Sequence, residues 1–435
     1  MLSILLGYGR YACAGMVFVQ TSANDGKPMK RLVMRIYRLE NVVQNYAWGS
    51  TTAISQITRR PTPSEKPQAE LWMGTHPKGP SRVQIDDHTM ALQELIEQQP
   101  VDILGPHTAK HYNNALPFLF KILAAARPLS IQAHPDMAQA REGYARENRT
   151  GKPVDAPDRN YRDGNHKPEI IVALTPFWGL NGFRIPETAA ALLDPICPTS
   201  LKDALKALRF DGKKGLRTFF NAMMTLGDKE KTAACDEIVR KAAATGTKTP
   251  VLEWVLTLAD AYPGDLGILS PALLNLVCLD PGQAMYLPAG QLHAYLDGVG
   301  IELMANSDNV LRGGLTPKHV DVSELLRIVR FQSTAVKTIG PEPARDCEAV
   351  YHSPAAEFCL SVIRTCAVTA YRAPAIRSVE ILLCTEGKGR MAETGCGETL
   401  DVSSGNSFLV PAAVKGYTIR GDLTLYKASV PLGFA

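Results

Sequence analysis

The chain has 435 residues, too many for one ordinary hydrophobic core, so two or three domains are expected. Hydrophobic residues make up 45% and charged residues 21%, the balance of a soluble globular protein. The net charge of +4 comes from interspersed acids and bases without a long basic block. Charge therefore implies no nucleic-acid partner, though it leaves room for a local cationic pocket.

Nine cysteines occur, an odd number with no CxxC pair. A disulfide framework or cysteine zinc cluster is not expected, and a reducing, cytoplasmic setting fits better. Any metal would then be held by His, Glu, Asp or Gln. Residues 1–33 contain an apolar stretch without a basic leader, and MRIYRLENVVQNYAWGS reads as a natural start. These residues are expected to be an extension that adds no function. No run reaches the length of about 20 apolar residues that a membrane span needs.

Residues 34–50 read as a strand and a polar loop. AELWMGTHPKGPS, 69–81, reads as a strand and a turn. MALQELIEQQP, 90–100, has helical texture, whereas 101–112 reads as loop. LPFLFKILAAARPLSIQAHPD, 116–136, is an apolar run ending in Ser130, Gln132 and His134. Strand geometry sends alternate residues to one face, so these three face together if Ile131 and Ala133 face a core. Residues 137–149 predict a charged helix and 151–168 a polar loop. EIIVALTPFWGLNGFR is β-rich. From about residue 186 to 263 the apolar spacing becomes helical almost throughout, an inserted α domain. After 270 short strands return, broken by Gly and Pro.

Those strands contain a repeat. PGQAMYLPAGQLHAYLDG, 281–298, aligns without gaps to SGNSFLVPAAVKGYTIRG, 404–421. In a β-rich context this suggests two related sandwiches or barrels. His293 in the first copy aligns with Gly416 in the second, so a ligand-bearing site belongs to the first copy.

A lone histidine is by default a satisfied structural residue, and His76, His88, His107, His111, His166, His319 and His352 are read so. His134 differs because Gln132 precedes it by two on a strand. His293 differs because it follows the tight LPAG turn. Glu169 opens an apolar strand, where a carboxylate must be solvated, paired or bound to a cation. Gln132, His134, Glu169 and His293 make an N/O ligand set suited to a divalent transition metal. Zinc is the first expectation, with manganese or iron open on ligand type. Within 301–319, Arg312 and Lys318 are candidates for holding a phosphate, and the glycines at 313 and 314 permit close backbone approach.

NYAWGS, AELWMGTHPKGPS, LSIQAHPD, DGNHKPE, FWGLNGFR, LPAGQLHAYLDG and NSDNVLRGGLTPKHVD closely resemble the type I mannose-6-phosphate isomerases, or phosphomannose isomerases. The motifs stand in family order over roughly residues 34–325. The resemblance implies a mainly β fold of cupin-type (jelly-roll) barrels with an inserted helical domain. The implied parts are a first catalytic barrel over 34–185, the helical domain over 186–265, a return to that barrel over 266–330 and a second, metal-free barrel over 331–435. It implies one zinc per chain on Gln132, His134, Glu169 and His293, catalysis by Arg312, and pocket roles for Ser130, Lys167, Glu302 and Lys318.

The implied reaction interconverts D-mannose 6-phosphate and D-fructose 6-phosphate by moving a proton between C1 and C2 through a cis-enediol. Glu302 is the first candidate for the base and Lys167 the second. Ser130 and Lys318 suit substrate binding. The partner is a small sugar phosphate, with neither nucleic acid nor membrane, and a monomer is expected with an oligomer left open. A non-catalytic cupin that senses a sugar phosphate predicts the loss of a pocket residue, and none is lost. A cupin oxygenase would place a third imidazole where Gln132 stands.

Overall fold

The structure, a computed structural model, describes residues 34–85, 87–246, 248–395 and 397–432. The extension expected over 1–33 lies outside the described residues. Two antiparallel sheets, of ten and eleven strands among the described residues, carry most of the fold.

The repeat explains how each sheet is built. Gly282, at φ +87°, turns the chain into strand Ala284–Leu287, and Gly405, at φ +86°, turns it into Ser407–Val410. Each copy then enters a 13-residue strand, His293–Ala305 or Tyr417–Ser429. Each long strand carries a glycine at φ +122°, Gly298 or Gly421. Side chains resist that conformation. At Gly298 a Cβ would also stand 2.7 Å from the Pro176 carbonyl oxygen. This glycine is the point where the strand changes neighbours. Before it, the strand pairs with Phe177–Phe183 and Gln132; from it onward, with Phe118–Ala125 and Glu169–Ala173.

Between the sheet segments lie the helices Pro186–Leu193, Lys202–Phe210, Gly212–Thr225, Asp228–Ala244 and Pro250–Ala261, followed by the short Ser270–Leu273. Their apolar stripes are buried; Leu216, Phe219, Phe220 and Met223 recur at helical spacing on one of them. The core they form includes Ile131, Ala133, Leu292 and Leu311. The helices thus bury the backs of the strands that carry polar residues on their fronts.

Two features depart from a local reading of the sequence. Residues 101–112, expected as loop, hold short helices Pro100–Leu104 and Pro106–His111. Each has proline in its first turn, where a missing N–H costs nothing. Strand Tyr37–Glu40 pairs with Ser407–Val410, far along the chain, and with Arg82–Ile85.

The sheet of the second copy encloses an ionic cluster. Lys427, only 6% exposed, places Nζ 2.6 Å from Glu348 and 3.2 Å from Glu380. Arg377 Nε lies 3.4 Å from Glu380, and the Tyr417 hydroxyl donates to that carboxylate. Removing the ammonium takes the one cation shared by two buried carboxylates and leaves Glu380 to Arg377 and Glu348 to the more exposed Arg345. Lys427→Ala should therefore cost roughly 3–5 kcal/mol. Urea unfolding followed by circular dichroism measures this, and an unchanged midpoint would show that the carboxylates do not depend on Lys427.

Candidate metal centre

The alternation expected at residues 130–134 is present. Ile131 and Ala133 are 1% and 0% exposed and pack into the helical core. Gln132 faces the other way, at the start of strand Gln132–Ala133. His293 stands directly opposite it on one side and Arg312 directly opposite on the other. Opposed residues of antiparallel strands share a face, with Cβ atoms about 4.5–5.5 Å apart. Strand register therefore assembles Arg312, Gln132 and His293 into one row from three distant stretches of sequence. Half-buried Ser130 falls on the same side by alternation.

His134 follows at the strand end. Two residues on, Asp136 caps helix Met137–Arg149 in a reciprocal box with Gln139, which pins the chain just beyond the imidazole. Glu169 enters from the opposite direction as the first residue of strand Glu169–Ala173. His134 Nε2 lies 3.3 Å from Glu169 Oε1, and His293 Nε2 lies 3.3 Å from Oε2. The donor atoms of His134, Glu169 and His293 all fall within 4.8 Å of one another.

The outer ring nitrogens define the tautomers. His134 Nδ1 donates to the Asn309 carbonyl at 2.7 Å and His293 Nδ1 to the Gln291 carbonyl at 2.9 Å. A carbonyl only accepts, so both Nδ1 atoms carry hydrogen and both Nε2 atoms present lone pairs. Burial pushes the pKa of His134 down to about 4, against the pull of Glu169, and keeps the ring neutral. Burial also pushes the Glu169 carboxyl upward. The Lys167 ammonium, with Nζ 3.0 Å from Oε1, is the first influence that opposes this push, and the group is held well below its usual range. Both Nε2 atoms and Glu169 Oε2 are buried without a hydrogen-bond partner. Converging orphaned lone pairs are costly unless a cation fills them. Two imidazoles and a carboxylate beside the Gln132 amide fit zinc.

A second buried group stands deeper on the same sheet. Glu302 pairs with Lys121 at 2.7 Å and accepts from the Tyr295 hydroxyl at 3.0 Å. Lys121 also lies 3.7 Å from Glu70, whose other oxygen accepts from the Trp72 indole. Burial raises the Glu302 pKa, against the lowering effect of Lys121. The reading of the sequence missed Lys121, although a lysine inside LPFLFKILAAA was its own signal.

A third group is cationic. Arg312 is half-buried and its pKa is lowered by burial and by neighbouring Arg162. Lys318 is lowered by partial burial and by Arg312 and Arg162. Among the described residues none of these three has an ion-pair partner. Arg162 was missed because it sits in a polar loop with no periodicity to single it out. It helps line a cleft of about 410 Å³ with His76, Lys78, Asp163, Asn306 and Asp308.

Over most of its length the chain is similar to proteins of one family. Residues 36–186 match the family described as phosphomannose isomerase type I, catalytic domain. The chain is 38% identical over 388 residues to mannose-6-phosphate isomerase of Escherichia coli strain K12, covering 88% of this chain and 97% of that protein. It is 35% identical to the Homo sapiens mannose-6-phosphate isomerase, over 81% of this chain and 88% of that one. A zinc-bound crystal structure of mannose 6-phosphate isomerase superposes with a TM-score of 0.84 at 36% identity, covering 91% of this chain and all of that one. A point mutant of phosphomannose isomerase from Salmonella typhimurium gives a TM-score of 0.85, with the same coverage and identity.

Metal-depleted protein should take up one zinc per chain, measured by elemental analysis after gel filtration. Glu169→Gln should bind it at least about 10-fold more weakly, since the only charged donor is removed. Equal zinc affinity in that variant would move the metal away from this carboxylate.

Proposed function

The chain belongs to the type I phosphomannose isomerase family, and we propose how its side chains divide the work of that family's reaction. The protein is a zinc-dependent isomerase that interconverts mannose 6-phosphate and fructose 6-phosphate. The observation that carries the division is the row Arg312–Gln132–His293, which sets a cationic group beside the buried donors of His134 and Glu169.

Gln132, His134, Glu169 and His293 hold the zinc. When bound, zinc supplies Lewis-acid charge at the reacting end of the sugar. Isomerisation requires the weakly acidic C2 proton to leave and return at C1, while a hydroxyl proton passes from O2 to O1 through a cis-enediol. Glu302 is assigned as the base. Its burial raises its proton affinity toward a working range, and Lys121 and Tyr295 fix both its oxygens. Lys167, already 3.0 Å from Glu169, is the second candidate. Arg312 offers a fixed positive charge to the developing enediolate without reorganising. Lys318, with Arg162 nearby and neither of them in an ion pair among the described residues, offers the phosphate a cationic site, and Ser130 orients the sugar.

All the donors come from one chain, which supports a monomeric working unit. The seven described cysteines are free, which supports a reducing, cytoplasmic setting. Among the described residues no helix is long and apolar enough to cross a membrane.

Exhaustive chelation should abolish formation of fructose 6-phosphate in a coupled assay, with zinc restoring it; activity untouched by chelation would sink the metal's role. Arg312→Ala should lower kcat by about 10²–10³-fold, the loss seen when a charge-stabilising donor is removed. Zinc content and melting temperature should stay as in the wild type. Near-normal turnover would take Arg312 out of the mechanism. Lys318→Ala should act mainly on KM, because a phosphate contact distant from the reacting carbons is made equally in ground and transition states.

A further inference from the structure

Asn309 is completely buried, and every polar atom it has is engaged. Its backbone carbonyl accepts from His134 Nδ1 at 2.7 Å. Its Nδ2 donates to the carbonyls of Asp163 and Asn165, both at 2.9 Å, and reaches Asp163 Oδ1 at 3.2 Å. Its Oδ1 accepts from the backbone N–H of Arg162 at 2.7 Å and of Asp163 at 3.3 Å. Asp163 binds back: its carboxylate accepts from the Ser307 hydroxyl and the Asp308 N–H, both at 2.8 Å. Two loops are thereby locked together around one amide. One presents the carbonyl that orients His134. The other runs within a few residues into Lys167 and Glu169.

We propose that Asn309 is a positioning residue of the metal centre, holding His134 in its ligating tautomer through its carbonyl and the approach to Glu169 through its side chain. Asp163 is the brace that keeps the amide in place. The proposal rests on the reading of His134, Glu169 and His293 as zinc ligands. Its physical basis is that a buried carbonyl aimed at Nδ1 fixes the ring only while its own residue cannot turn. The side-chain bonds of Asn309 prevent that turn, and no water is needed to complete them. Losing the partner that orients a metal-bound imidazole costs about 10–100-fold in metal affinity.

The test compares wild type, Asn309→Ala and Asp163→Asn as metal-free proteins. Zinc affinity is measured by competition with a chromophoric chelator, ligand geometry by the visible spectrum of the cobalt(II) form, and fold by thermal melting without metal. Asn309→Ala should bind zinc about 10–100-fold more weakly and show an altered cobalt spectrum. Asp163→Asn keeps one acceptor oxygen and should shift both readouts the same way by less. Should Asn309→Ala fail to fold, Asp163→Asn decides. Zinc affinity and cobalt spectrum unchanged in the folded variants, whatever their melting temperatures, would reduce Asn309 to a packing role and overturn the proposal. Wild-type protein that takes up no zinc would overturn the metal reading itself and the proposal with it.

Discussion

A carboxylate that is 1% exposed stays ionised only if positive or proton-donating groups surround it, and Glu169 imposes that demand on everything near it. Lys167 satisfies one oxygen at 3.0 Å. The two imidazoles approach at 3.3 Å but offer lone pairs, because their hydrogens are committed to the carbonyls of Asn309 and Gln291. The remaining demand is for a cation. The row set by register, the cap at Asp136 and the Asn309 loops all serve to hold groups around that one oxygen pair.

The second copy of the repeat meets the same demand differently. Leu287 pairs with Glu169, and its repeat counterpart Val410 pairs with Glu380. Glu380 therefore occupies the register position of Glu169. Where the first copy turns a histidine toward the carboxylate, the second has Gly416, which brings nothing. Two positions along, Ile171 pairs with Glu302 in the first sheet, and Leu382 pairs with Lys427 in the second. Lys427 thus stands where Glu302 stands, and its ammonium reaches Glu380 at 3.2 Å. A side-chain cation fills the second copy, and the first is left with lone pairs.

The sequence made part of this legible. Alternation at 130–134 named two donors because a two-residue period needs no knowledge of partners. The repeat offset separated His293 from Gly416 for the same reason, and helical spacing marked the insertion after residue 186. What stayed hidden depends on pairing between distant segments. Nothing local says that Arg312 stands opposite Gln132, or that Tyr37–Glu40 joins Ser407–Val410. Lys121 was hidden differently: a single charge in an apolar run gives no partner until Glu302 and Glu70 arrive from other strands. Asn309 was visible only as one polar residue among many in 301–319. Its importance lies in hydrogen bonds to a loop near residue 163.

Charge balance shows why only one copy suits an ion and an anionic substrate. In the second sheet, Glu348 and Glu380 face Lys427 and Arg377, and the buried charges cancel. In the first, Glu70, Glu169 and Glu302 face Lys121 and Lys167 with the neutral imidazole of His134 beside them, which leaves one more buried carboxylate than ammonium. A divalent cation turns that deficit into a single positive charge. Arg312, opposite Gln132 in the strand register, stands next to that excess and has no ion-pair partner among the described residues. With a divalent cation held there, such a site would attract a sugar phosphate and stabilise a sugar that becomes more negative as its proton leaves. The cancelled charges of the second sheet offer no such excess, so two copies of one strand arrangement differ in the charge they leave uncompensated.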